Sequence, residues 1–298
     1  DLNFTNKISG IDDGMSHFYE YNNSAKKFGG LFYFTKVSNV NFVDCDFNGY
    51  TAGTGGVLFA NGGNNFGLVN CNFTNCKAES YAGGAVRLYS VTNFFMDNVN
   101  FINNTAKTQG GAIYIGGTSS IKYGHNVNFT GNHAISHGGA MACEFTVANI
   151  NFTEKLSQKT DGVFDFYESG NHADDAGGLF YITSVNNVNF VDCDFENITA
   201  SSGGVLYIGG GNGLGLINSN FTGNEAKRGT GGAVYCGAKN FFVENLNLSG
   251  NTAKTHGGAI YLSSASSFNH AFGLATANNY AGDAGGAICF DCLVNDVN

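Results

Sequence analysis

Four aspartates are the first residues in this chain that invite chemistry. Asp44 and Asp46 stand two apart in "NFVDCDF", and Asp192 and Asp194 repeat the arrangement in an identical phrase 148 residues later. Alternate residues of a strand share a face, so each pair presents two carboxylates side by side. Asn70 and Asn72 lie one repeat from the first pair, and Asn218 and Asn220 one repeat from the second. Such oxygen-rich patches suit Ca2+. Carbohydrate-cleaving chemistry would add an Arg or Lys base beside the carboxylates. The chain has only two arginines, Arg87 and Arg228, and neither accompanies these pairs. The expectation is a solvated polar face with Asp in place of Asn and no metal site, the four aspartates being weak Ca2+ candidates only, with no catalytic set.

Other reactive types read similarly. The histidines (His17, His125, His133, His137, His172, His256 and His270) fall in loops and turns. His133 and His137 are four apart, but in a turn rather than on a helix, so no metal site and no cofactor is read there. Of the eight cysteines, Cys45 and Cys71 share an inward column one repeat apart, and read as buried thiols packing as small hydrophobes. Nine N-x-S/T sequons occur, at Asn3, Asn22, Asn72, Asn103, Asn128, Asn151, Asn197, Asn220 and Asn247. Six of them, Asn3, Asn72, Asn128, Asn151, Asn220 and Asn247, read as one outward column just before a core Phe or Leu, where a glycan would clear the core.

The elements that position these residues follow from a repeat. Gly-Gly pairs leading into apolar strands begin at Gly29, Gly55, Gly83, Gly110, Gly138, Gly177, Gly203, Gly231, Gly257 and Gly285. Periods of this length signal a solenoid. A second order lies above them. "GGLFYFTKVSNVNFVDCDF" at Gly29 returns as "GGLFYITSVNNVNFVDCDF" at Gly177, so residues 1–148 and 149–298 are two superrepeats of one continuous solenoid. The last residues, "VNDVN", correspond to the threshold of another copy, which suggests a longer array or a polymer. One turn is longer by "TEKLSQKTDGVF", echoed as "TNKISGIDDGMS", and predicts a protruding loop or extra half-turn suited to lateral contacts.

Stacked in register, the residues three and five after each first Gly are apolar throughout, from Phe32 and Phe34 to Ile288 and Phe290. The residue between them faces outward. It is Tyr33, Tyr114, Tyr181, Tyr207, Tyr235 or Tyr261 in six turns, and Arg87 in one. This aromatic ladder could bind glycans or a neighbouring rod. A second strand stacks Phe47, Phe73, Phe101, Phe129, Phe152, Phe195, Phe221 and Leu248 inward. Asp44, Asn70, Asn98, Asn126, Asn149, Asp192, Asn218 and Asn245 read as an outward ladder beside them. Asn104, Asn132, Asn224, Asn251 and Asn279 mark turns where buried side-chain ladders form.

Composition agrees. The chain of 298 residues has 44 Gly and no Pro, where average usage would bring roughly fifteen prolines. Pro is excluded from central strands. The fold class is therefore all-β: a right-handed parallel β-helix of about 11 rungs of 26–28 residues. A net charge of −9 with scattered Lys and Arg excludes a nucleic-acid footprint. No apolar run is long enough to insert in a membrane, and the N-terminal residues lack a signal-peptide pattern.

The motifs "GGAI", "GGAV" and "GGAM", with Phe-x-x-Asn at Phe101–Asn104, Phe129–Asn132 and Phe221–Asn224, resemble the repeats of polymorphic outer-membrane proteins of chlamydial adhesins. They are similar also to methanogen adhesin-like parallel β-helix surface proteins. "GGLF" and "GGVL", Cys76 for an Asn and Leu248 for a Phe depart from the pattern. The resemblance implies a non-catalytic extracellular or cell-surface module, an adhesin stalk or a filament building block. Its expected partners are copies of itself, or host and cell-surface glycans and proteins. The alternative is a pectate-lyase-like carbohydrate-active enzyme on the same fold.

Overall fold

The computed structural model describes residues 2–6, 16–18, 23–156, 158–292 and 294. Among them there is no helix, and the strands form three parallel sheets of nineteen, ten and four strands. The chain coils as a β-solenoid of about ten turns, close to the eleven expected. One hydrophobic cluster runs along its axis from Val37 to Phe268.

The turn beginning at Gly110 shows why these residues coil. Gly110 has φ +62° and makes the first corner. Ile113–Gly116 pairs with Val86–Thr92 on one side and Met141–Thr153 on the other. Ile121–Thr130 then bends at Asn126, φ +50°, and Gly131 bends the chain again at φ +63°. His133–Ala134 is a strand of two residues in the ten-stranded sheet. Thus the Ala after each buried Asn lies in a short strand rather than in a turn. Left-handed bends recur in columns occupied, apart from Lys36 and Ser90, by Asn, Asp and Gly, the types that tolerate positive φ.

Gly111 is required for another reason. A Cβ there would land on the carbonyl oxygen of Gly139, the second glycine of the next turn. Inside, Phe73, Phe101 and Phe129 stack on one another at 5.0 and 5.5 Å between ring centroids. Each buried Phe contributes about 1.5–3 kcal/mol. The buried Asn column forms a ladder as expected. Asn104 donates from Nδ2 to Phe73 O at 2.9 Å and to Asn132 Oδ1 at 3.0 Å, and Asn132 repeats the pattern towards Asn171. Every one of these amides is fully desolvated yet partnered, which is the condition for burying it.

Three columns differ from the expectation. Asp44, Asn70, Asn98, Asn126, Asp192, Asn218 and Asn245 all have positive φ, so this outward ladder runs along a bend, which at Asn70, Asn98 and Asn126 falls within a strand. Phe152 does not stack with Phe129 and Phe195. It pairs with Phe164 and Phe190, and Phe129 pairs with Glu168. Asn149 and Asn151 shift with it, to the sides of Asn187 and Asn189. The cause is the long turn. After Phe152 the chain loops back one layer, and the strand Val163–Ser169 inserts between Ile121–Thr130 and Met141–Thr153. "TEKLSQKTDGVF" is therefore an extra partial turn. Most of its copy-one echo lies outside the described residues.

The two kinds of glycine predict different tolerances. Gly111→Ala should destabilise by about 2–3 kcal/mol, because backbone of the following turn, at Gly139 and His133, must move. Gly49→Asn should stay within about 0.5 kcal/mol, since its φ of +75° suits Asn and nothing lies near an added Cβ. Urea unfolding midpoints of the two variants would check this.

Candidate binding surface

The outward column between the two apolar columns divides into two parts. In the second superrepeat it is a continuous stack. Tyr181–Tyr207, Tyr207–Tyr235 and Tyr235–Tyr261 have centroid distances of 5.2, 4.2 and 5.5 Å. The Tyr261 hydroxyl donates to Asp291 Oδ2 at 2.8 Å. Burial, then the neighbouring Tyr235, pushes the Tyr207 phenol above its ordinary value.

In the first superrepeat the column is broken by Arg87. Its guanidinium lies over the rings of Phe59, Tyr81 and Tyr114, at 4.8, 5.2 and 5.2 Å from their centroids. Nη1 donates to Thr54 Oγ1 at 3.2 Å, whereas Nε is buried without a partner. Among the described residues no carboxylate lies within ion-pair distance of Arg87. The adjoining concavity of about 490 Å3 is lined by Tyr81, Arg87, Tyr89, Gln109, Tyr114 and Glu144, among others. Glu144 is held at both oxygens, by Tyr114 Oη and by Gln109 Nε2, each at 2.6 Å. Burial, reinforced by the Glu144 hydrogen bond, raises the Tyr114 pKa. Thr108 Oγ1, in the same lining, is also buried without a partner.

The six tyrosines named from the sequence are therefore not one exposed ladder. Tyr33 is 46% exposed, but Tyr114 is 5% exposed, covered by Arg87 and tied to Glu144. Tyr81 and Tyr89, 55% and 42% exposed, are the accessible rings of the groove. Sequence reading missed them with Gln109 and Glu144. The lone Arg in a Tyr column was the one signal available. At an offset of 148, Tyr81, Arg87 and Tyr89 become Gly229, Tyr235 and Gly237, so the repeat does not impose the groove.

The other candidates are placed as follows. Asp44 accepts from Asn70 Nδ2 at 3.0 Å, and Asp46 from Asn72 Nδ2, so each caps an Asn ladder. Asp194 accepts from Asn220 Nδ2, and Asp192 pairs with Lys155 Nζ at 3.1 Å. Of the sequons, Asn72, Asn128, Asn220 and Asn247 share one outward column. Asn3 and Asn151 stand in another, beside Asn41 and Asn189, because of the register change. Asn103 and Asn197 sit exposed on bends, and Asn22 lies outside the described residues. All eight cysteines are free, and Cys45 and Cys71 are buried in the core. His137 stacks on Tyr181 at 4.4 Å.

The Chlamydia polymorphic membrane protein repeat matches the chain twice, at residues 98–116 and 245–263. Both matches cover the Phe (or Leu)-x-x-Asn and Gly-Gly-Ala phrases. The chain thus carries repeats that resemble those of polymorphic membrane proteins. No curated protein and no solved structure matches it. The repeat and the solenoid together fit a surface, adhesin-like structural protein. No helix among the described residues is long and apolar enough to cross a membrane.

The extra turn also carries two unusual acids. Burial pushes the Glu154 carboxyl up to about 8 and the Glu168 carboxyl up to about 7. Both values exceed the ordinary 4.5, so the folded chain holds these protons more tightly than the unfolded chain. The stability they contribute is complete below about pH 4.5 and is lost as pH rises through 7 and 8. The melting temperature should fall between about pH 5 and about pH 8.5, and Glu154→Gln should flatten that slope.

Proposed function

We propose that this chain is a non-catalytic, surface-displayed β-solenoid that holds acidic saccharides in the Arg87 groove. The observation that carries the reading is an arginine with no carboxylate partner among the described residues, set among aromatic rings beside two exposed tyrosines. Sugar rings present C–H faces that pack on aromatic surfaces, and a sugar carboxylate or sulfate would pair with the half-buried guanidinium. The groove is rigid, because its residues stand on paired strands and the corners between them.

The pectate-lyase-like alternative requires carboxylates free to bind Ca2+ beside a base. The single carboxylate of this groove, Glu144, already accepts from two donors. Acidic oligosaccharides should therefore bind without being cleaved. Titration of the chain with oligogalacturonate and with its neutral counterpart tests this. Arg87→Gln and Tyr81→Ala should each weaken binding of the acidic sugar by roughly tenfold. Equal affinity for the neutral sugar, or none for either, would remove the reading.

The surface assignment is supported by the repeat class and by sequons that point away from the core. Asn72 and Asn220 donate their amides to Asp46 and Asp194, and Asn128 to Asn100 at 3.3 Å. A glycan there would cost a ladder bond. Asn103, Asn197 and Asn247 are exposed, and the two bend residues lie off the ladders. In chain isolated from its source, peptide mass mapping should find glycans at these three first. A bare polypeptide mass would contradict the claim.

A further inference from the structure

We propose that His133, His172 and Asp174 form a binding site for a divalent transition ion of the Zn2+ class. His133 and His172 are cross-strand neighbours in the ten-stranded sheet, on consecutive turns. Their rings stack with centroids 4.1 Å apart and planes 13° apart. Asp174 Oδ1 lies 3.0 Å from His133 Nε2. One ligand atom from each of the three side chains lies within 4.8 Å of the other two. Among the described residues no other three His, Cys, Asp or Glu side chains converge so closely.

The donor set selects the ion. Imidazole suits Zn2+, Ni2+ and Cu2+. Two imidazoles and one carboxylate offer too few oxygens for Ca2+, which takes six to eight. Three protein ligands leave a coordination position for water or an exogenous donor. Metal ligation uses the neutral imidazole, and the stacked rings place both imidazoles beside Asp174. Lys227 and Arg228 line the surface beside His172 and Asp174, and Lys77 and Lys107 the surface beside His133. Those charges weaken the site without entering it.

The repeat does not dictate this trio. The ladder holding the two histidines otherwise carries Ser24, Thr51, Lys77, Thr105, Thr199, Glu225, Thr252 and Tyr280. At the superrepeat offset His172 and Asp174 become Ser24 and Lys26, and His133 becomes Tyr280. The trio forms at the extra turn, where His172 follows the inserted strand and is brought onto His133. A plain His133–Asp174 ion pair would not need the second ring.

Calorimetric titration of the intact chain with Zn2+ at about pH 7.5 tests the site. One ion should bind per chain. His133→Ala and His172→Ala should each lower the association constant by roughly tenfold or more, as even loss of an outer-shell partner can do. His270→Ala, whose ring faces Glu244, should leave it unchanged. Circular dichroism melting of each variant confirms folding, since these side chains lie on the surface. With Cu2+ as probe, electron paramagnetic resonance should show coupling to two imidazole nitrogens, and to fewer in either His variant. Absence of saturable binding, or binding undiminished in both His variants, would overturn the site.

Discussion

The second glycine of each Gly-Gly pair is the constraint on which the rest depends. At this corner the backbone of one turn lies against the backbone of the next, with no room for a Cβ. The contact repeats from Gly30 onto Gly56, Gly84, Gly111 and Gly139, and so along the stack. Because no side chain intervenes, successive turns cannot slip relative to each other at this corner. The strands that follow are then locked in parallel register, Phe32 on Leu58, Leu58 on Val86, Val86 on Ile113 and Ile113 on Met141. Identical registers place like on like, which lets flat Phe rings stack and amides form ladders.

Polar satisfaction follows from the same register. A solenoid has several corners per turn, and at each one the strand ladder is interrupted. Two devices fill the gaps. Asn, Asp and Gly take the left-handed bends outside, where Asn amides link turn to turn, as Asn98 does to Asn70 at 3.0 Å. Inside, the buried Asn column satisfies backbone groups that would otherwise be orphaned: Asn132 Oδ1 accepts from Asn104 N at 3.0 Å. Where Asn is replaced, at Cys76 and Ile198, the residue's own N–H still reaches an Asn Oδ1 of the following turn. The ladder thus tolerates an end but not an unpaired member.

Distinctive chemistry arises where the period is broken. The Tyr stack of the second superrepeat is a regular structural column, and its rings mostly shield one another. Arg87 interrupts that column and leaves a groove with a cation that meets no carboxylate among the described residues. The extra turn interrupts the register and creates both the raised carboxyls of Glu154 and Glu168 and the contact between His133 and His172. Neither the groove nor the histidine contact recurs at the superrepeat offset.

Much of this was legible in the sequence, for a physical reason. In a solenoid each turn meets only its neighbours, so spacing along the chain converts directly into stacking in space. The Gly-Gly columns, the two apolar columns beside them and the buried Asn ladder could therefore be read from spacing alone. The family-like repeats could also be read as motifs. What spacing could not convey was the step back at the long turn. "ANINFTEK" imitates the phrase around Phe129, yet Phe152 lies 14 residues after Gly138, as Phe190 lies 13 after Gly177, and stacks accordingly. Sequence proximity likewise set His133 beside His137, four residues on. The tertiary structure sends His137 onto Tyr181 and gives His133 to His172, 39 residues away. Only the fold decides which side chains share a turn once the turns differ in length, because an inserted strand moves everything after it by a layer.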